Sequence, residues 1–340
     1  MRMKKLPPEF YIGFSGLILV YLIWAAAGPV IKLTLNYLPP FTFLFLRFLA
    51  VCIIILPLLL IELKKQKINK QDYFKIFILG VFSQTSLALI FLGLNYTTAI
   101  DFALISLLGP LLSMAAGHYL FNDKFNTGIK FGIILASLGT LFVTVEPILN
   151  GNGSNVDPLL RVYGNVLAIL YTLAFLLYII WSKISMGEVT PTIKKGLHFL
   201  HMKPMTKKYP PVLLMSLSFF VGMATLIPLA LLENLNVFGK VEYSLMFLDK
   251  TAVFGLMYMV LLSSIAAYFL FEWSLTKVTV SDTAILGYLQ AVFTLPFAYM
   301  LLGELPTKYA LIGGAIIAVG VIIAESSYHL HKKRSKAHRI

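Results

Sequence analysis

Apolar residues run along this chain in long unbroken stretches, each closed by a few polar or basic residues, without the apolar and polar alternation of a half-buried strand. A helix crossing the hydrocarbon of a bilayer takes about 20 mostly apolar residues. Ten stretches fit that description: roughly 10–31, 41–61, 74–94, 102–121, 129–145, 162–181, 211–232, 251–274, 283–302 and 309–325, the fifth being short. Continuous apolar runs predict helices rather than the strands of a barrel.

The pattern then repeats. Displaced by 171 positions, Pro39, Pro40, Phe48, Pro57 and Glu62 fall on Pro210, Pro211, Phe219, Pro228 and Glu233. Displaced by 181, Thr98, Asp101, Ala103, Gly132 and Gly139 fall on Thr279, Asp282, Ala284, Gly313 and Gly320. Each copy holds five spans, an odd number, so the second copy enters the bilayer from the opposite side. The expected fold is an all-α polytopic membrane protein with ten transmembrane helices as two inverted five-helix repeats, a plan used by secondary transporters. The first repeat covers 1–149, an external linker 150–161 and the second repeat 162–327. A cytoplasmic loop at 183–209 and a basic cytoplasmic tail at 328–340 complete the division.

Composition agrees with a lipid-facing chain. Hydrophobic residues make up 59% of 340 and charged residues 13%, with a mean hydropathy of +0.84, more apolar surface than one aqueous core would bury. The formal charge of +13 invites comparison with nucleic-acid binders, but its distribution points elsewhere. With a cytoplasmic N-terminus, only Lys32, Arg161, Lys240, Lys250 and Lys308 fall outside and Arg47 falls within the bilayer, while the rest of the 28 basic residues lie inside. That is the positive-inside asymmetry. It orients the protein with both termini in the cytoplasm and needs no nucleic acid. Met1 to Lys5 ahead of an apolar run imitates a secretory signal, yet losing the first span would unbalance the repeat, so that span is expected to stay.

Little chemistry lies outside the membrane. Cys52 is the only cysteine, which leaves no intrachain disulfide and no thiolate metal cluster. His198 and His201 in the 183–209 segment, and His329, His331 and His338 in the tail, lack the further ligands of a metal site. The 183–209 segment reads as a solvated basic loop. Asn152-Gly153-Ser154 forms a sequon in the linker. No cofactor is called for. An intramembrane enzyme also fits poorly, since the chain has no His-Glu-x-x-His, no paired aspartates in a span and no lysine at a span's core.

Tyr299-Met-Leu-Leu-Gly303-Glu304-Leu-Pro-Thr followed by Gly313 and Gly320, Asn95-Tyr96-Thr97-Thr98-Ala99 entering the fourth span with Pro110 inside it, and Trp24 eight residues before Lys32 occur together in order. By these pieces the chain resembles, over nearly its whole length, an EamA-type member of the drug/metabolite transporter superfamily. The resemblance implies a ten-helix carrier of small metabolites, often amino acids, with a central site. The first copy has Asn122-Asp123 where the second has Gly303-Glu304, and Ser185 to Lys203 reads as an insertion.

Gly132 and Gly139, like Gly313 and Gly320, stand seven residues apart on one helical face. In lipid, small residues let helix backbones approach, so the fifth and tenth spans are expected to pack as a static seam. Polar residues at membrane depth are the candidates for a substrate site, because lipid penalises them unless they face protein or water. They are Trp24, Arg47, Ser83, Gln84, Tyr171, Ser264, Tyr268, Tyr288 and Gln290. Each also has an ordinary packing role open to it. Arg47 either meets a substrate carboxylate or pins helix carbonyls and Glu146. Asp101 and Asp282 are expected as helix caps, and Pro110 and Pro296 as interruptions of their spans. Proton coupling through Glu272 or His118 is compatible with the pattern. Nothing specifies an oligomeric state.

The function expected is a secondary transporter exporting small metabolites such as amino acids across the cytoplasmic membrane by alternating access. The alternative is a non-transporting lipid scramblase or membrane assembly partner.

Overall fold

The computed structural model describes residues 8–121, 127–150, 157–237, 249–275 and 280–337, and among them all regular structure is helical. In chain order the helices are α1 (Pro8–Leu35), α2 (Pro40–Lys65), α3 (Tyr73–Tyr96), α4 (Ala99–Ser106), α5 (Leu108–Phe121), α6 (Thr127–Asn150) and α7 (Pro158–Ser185). There follow α8 (Pro191–Phe199), α9 (Pro211–Asn234), α10 (Lys250–Met257), a π-helical segment (Tyr258–Ala266), α11 (Ala267–Leu275), α12 (Val280–Leu302) and α13 (Lys308–Ala337). Among the described residues eight helical stretches are long and apolar enough to cross a membrane, and two shorter apolar stretches, Gln290–Leu302 and Lys308–Ala324, lie in α12 and α13. Large apolar side chains such as Ile53, Phe74, Phe131, Leu159 and Met300 stand exposed on the surface, as a polytopic membrane protein presents them to lipid.

Local chemistry sets the breaks. Pro110 has no N–H, and its ring would meet the carbonyl of Ser106, so the fourth apolar stretch divides at Leu107 into α4 and α5. Pro296 does not act alike. α12 runs through it without a break, contrary to the interruption expected there. The fifth stretch is not short either: α6 extends over 24 residues. α7 begins at Pro158, where Asp157 accepts from the N–H groups of Leu159 and Leu160 at 2.9 and 3.3 Å, a capped proline start.

The 183–209 segment is not a solvated loop. Thr190 caps α8, and Ile193 and Leu197, one turn apart, are buried beneath it, as an amphipathic spacing requires. The chain beyond α8 is strapped to the start of α3: Asp72 accepts from Tyr209 Oη at 2.8 Å and from the Thr206 N–H at 3.1 Å, and Lys75 Nζ donates to Pro204 O at 2.9 Å. His198 and His201 are exposed.

Two close helix contacts organise the interior. Along α6 and α13 a Cβ added to Gly320 would lie 2.6 Å from the Gly132 carbonyl, one on Gly139 would lie 3.0 Å from the Gly313 carbonyl, and Gly132 faces the Gly320 carbonyl in return. Backbone meets backbone there, which only glycine permits. Across α2 and α9 the rings of Phe48 and Phe219 are 5.2 Å apart, with Gly222 making room for Phe48.

Candidate functional site

At one end of the bundle, helix starts and ends deliver a set of charged side chains into the protein rather than to solvent. Arg161, in the first turn of α7, donates from Nε to Asp101 Oδ2 at 2.7 Å and pairs through Nη2 with Asp101 at 2.6 Å and Glu146 at 3.2 Å. All three are buried. Thr307 Oγ1 donates to Glu146 at 2.7 Å, and Asn165, one turn beyond Arg161, accepts from Thr97 while donating to the Val143 and Thr144 carbonyls at 3.2 and 3.3 Å. Lys32 Nζ donates to the Leu94 carbonyl at 3.2 Å and to that of Thr97.

Glu304 completes the cluster. Gly303 takes a φ of +66°, a left-handed turn that glycine adopts freely, and swings the next carboxylate back to accept from the N–H groups of Ala99 and Ile100 at 2.8 and 3.3 Å. An anion at the start of α4 answers the positive end of its dipole. Burial raises the Glu304 carboxyl above the ordinary glutamate range, opposed by Lys32 and by those two backbone donors.

Asp101 is therefore not the cap expected of it. Thr98 caps α4, accepting from the Asp101 N–H at 3.0 Å, which frees the Asp101 carboxylate for Arg161. Glu146 likewise pairs with Arg161 and Thr307, while Arg47 bonds Ser264, so no Arg47–Glu146 link forms. The side chains of Glu272 and Asp282, and residues 338–340 and the Asn152 sequon, lie outside the described residues.

Below this cluster a cavity of about 340 Å³ opens between α1, α2, α3, α4, α5, α7, the start of α9, the π segment, α11 and α12. Its wall stops at Leu94 and Ala99 under the Arg161 cluster. In the other direction it passes Ser182, Lys183 and Met186 to the exposed Glu188, which pairs with Lys183 at 2.7 Å. Among the described residues the cavity thus reaches the surface at the Lys183 end and is closed at the Arg161 end. Its middle is aromatic. Trp24 sits edge-on to Tyr268 at 5.3 Å, stands 5.1 Å from Phe271, and donates through Nε1 to the Ser263 carbonyl at 3.2 Å. Phe102 and Tyr171 face each other at 5.3 Å.

Trp24, Arg47, Tyr171, Tyr268 and Gln290 of the expected residues line this wall. Ser83, Gln84, Ser264 and Tyr288 do not. Ser264 stands behind the wall, where its hydroxyl accepts from Arg47 Nε at 2.7 Å and donates to the Met259 carbonyl five residues back at 2.7 Å. That spacing belongs to the π segment, a helix type frequent at functional sites. Ser83 and Gln84 are buried in α3. His118 lies on α5 against Tyr119 at 4.9 Å, away from the wall. Sequence reasoning missed the whole Arg161 cluster; its one signal was the four-residue spacing of Arg161 and Asn165, which puts a charge and an amide on one face of α7.

The model of the EamA-like transporter family matches residues 11–145 and 193–325. An uncharacterized transporter of Archaeoglobus fulgidus is 26% identical over 315 residues, covering 92% of this chain and 97% of the relative. The uncharacterized transporter YoaV of Bacillus subtilis is 20% identical over 318 residues, covering 93% of this chain and 98% of YoaV. A solved crystal structure aligns with a TM-score of 0.55 at 15% identity, over 94% of this chain and 98% of that one, a likeness of fold alone.

Proposed function

The chain belongs to the EamA-like transporter family, and from that premise we propose a secondary transporter whose two inverted five-helix halves rock about the central cavity, exporting small metabolites such as amino acids across the cytoplasmic membrane. The observation that carries the proposal is a cavity open at one end and closed at the other by a buried ionic cluster. Alternating access needs such an asymmetry, one side at a time.

The closure also falls where halves would part. Asp101, Glu146 and Thr97 belong to the first half; their partners Asn165 and Thr307 belong to the second, and Arg161, the last residue of the linker, stands on α7, which continues into the second half. Reciprocal contacts support a twofold relation between the halves. Gly132 and Gly313 are matched by the displacement of 181, as are Gly139 and Gly320, and Gly132 meets Gly320 while Gly139 meets Gly313. Phe48 and Phe219, matched by the displacement of 171, meet each other. Equivalent residues pairing across an axis is the mark of an isologous contact. Lys183 at the end of α7 and Lys194 and Lys195 in α8 support a cytoplasmic side for the open end by the positive-inside rule.

Counterflow into proteoliposomes loaded with unlabelled metabolite and offered the same metabolite in labelled form tests this directly. Accumulation above that of empty vesicles is expected. Flux equal to empty vesicles for every metabolite tried, with headgroup-labelled lipid crossing the bilayer, would replace the carrier with a scramblase. An imposed pH gradient in the same vesicles reads proton coupling.

A further inference from the structure

Arg47 lies inside the second apolar span, is almost wholly buried and reaches the cavity wall. Its Nε is satisfied by Ser264, and its guanidinium carbon stands 5.8 Å from the centroid of the Phe91 ring. Its Nη1 is buried, and among the described residues no atom accepts from it and no carboxylate lies within 4 Å of the group. Buried charges are normally paired, since the desolvation of an ion is repaid only by a partner of opposite sign and by filled hydrogen bonds. Ser264 cannot supply that charge, and its proton is already given to the Met259 carbonyl.

Resting on the transporter proposal above, we infer that the cargo is an organic monoanion with an apolar body, whose single carboxylate is held by Arg47. A guanidinium offers paired N–H groups matched to the two oxygens of a carboxylate, and the Nη1 edge supplies the donor that the protein leaves unmatched. The other charges on the wall, Lys183 and Glu188, pair with each other at the mouth. Among the described residues the deep cavity therefore contributes one positive charge. One carboxylate balances it, whereas a phosphate dianion would leave a charge bare among aromatic rings. A zwitterionic amino acid would bring an ammonium that no described carboxylate on the deep wall receives, leaving the site with its original net charge. Trp24, Tyr268, Phe271, Phe102 and Tyr171 provide the surface for the apolar body.

Equilibrium binding of 3-phenylpropionate, its amide and phenylalanine to the full-length detergent-purified protein tests the assignment. The acid should bind at least tenfold tighter than the amide, with phenylalanine between them. In Arg47→Gln the preference for acid over amide should fall below twofold, and Arg47→Lys, which keeps charge but not the fork, should retain part of it. Equal affinity for acid and amide in the unaltered chain, no binding of the acid, or a tenfold preference surviving in Arg47→Gln would each overturn the assignment. The ligand series on the unaltered chain decides the matter even where a variant fails to fold. Counterflow with 3-phenylpropionate and with phenylalanine separates the two proposals: acid-selective binding without flux of any solute removes the transporter and leaves the carboxylate site, while flux without selectivity for the acid does the reverse.

Discussion

At the Arg161 end, Asp101 and Glu146 share one guanidinium between α4, α6 and α7, and the cavity stops beneath them. At the Lys183 end, Asp72 meets Lys75 three residues along the same chain segment, at 2.6 Å and also shielded from solvent though nearer the surface, yet the cavity runs past to the surface. The side-chain chemistry is nearly the same. What differs is which elements are joined. Arg161 ties elements of the two proposed halves across the path, whereas Lys75 neutralises its own neighbour and lets Asp72 fasten the strap through Thr206 and Tyr209. Burial of an ion pair does not by itself make a gate; its position relative to the moving boundary does.

Removing the cation at each end should break the likeness between them. Arg161→Met leaves two carboxylates buried without their partner, and stability in detergent should drop by about 3–5 kcal/mol, the usual penalty for orphaning a buried charge. A cysteine at Ala99, unreactive in the parent from the Arg161 side, should label in that background if the protein still folds. Lys75→Met leaves Asp72 accepting from Thr206 and Tyr209, so the expected loss is about 1–3 kcal/mol. Equal losses in chemical unfolding would mean that the two clusters are structurally equivalent and that the contrast drawn between them is mistaken.

Much of this frame was legible in the chain. Apolar run lengths located the helices, because in lipid each span must satisfy its own backbone and so announces itself locally. Trp24, Arg47, Tyr171, Tyr268 and Gln290 stood out as polar groups at depth. The rest depended on partners far apart in sequence. Arg161 counted only as one of the few basic residues outside, and only the fold brings Asp101, 60 positions away, against it. The π segment was hidden because α and π turns use the same apolar residues and differ only in which carbonyl each backbone N–H reaches. In α8 the basic residues drew the eye, while the burial of Ile193 and Leu197 rested on a surface that the sequence does not display.

The α6 and α13 seam runs between the two ends. Gly320→Ala sets a Cβ 2.6 Å from the Gly132 carbonyl and 2.7 Å from the Ala136 nitrogen, backbone atoms that cannot turn aside. A loss of about 1–3 kcal/mol is expected, as for other overpacked sites, with the Lys183 end still the open one by cysteine labelling. Gly28, on the cavity wall, meets nothing within 4 Å. Gly28→Ala should therefore keep or slightly raise stability, by up to about 1 kcal/mol from helix propensity, while narrowing the cavity and slowing counterflow. A seam variant that reversed which end labels would make α6 and α13 part of the moving boundary rather than a fixed one.

The smallest effect belongs to the mouth. Lys183 and Glu188 form a pair at 2.7 Å, with the Glu188 side chain 54% exposed, and Lys183 lies over the Phe121 ring at 4.7 Å. Water and salt screen such a pair, and holding two long side chains together offsets most of its attraction, so exposed bridges contribute about 0–1 kcal/mol. Glu188→Gln should change unfolding stability by less than about 1 kcal/mol, and less still at high salt. Lys183→Ala removes the aromatic contact as well and should fall at the upper edge of that range. Because the cavity already runs past this pair to the surface, neither change should alter labelling at Ala99→Cys, where Arg161→Met does. A loss at Glu188 as large as that at Arg161 would mean the mouth is clamped by this pair, and the open end would then be no more open than the other.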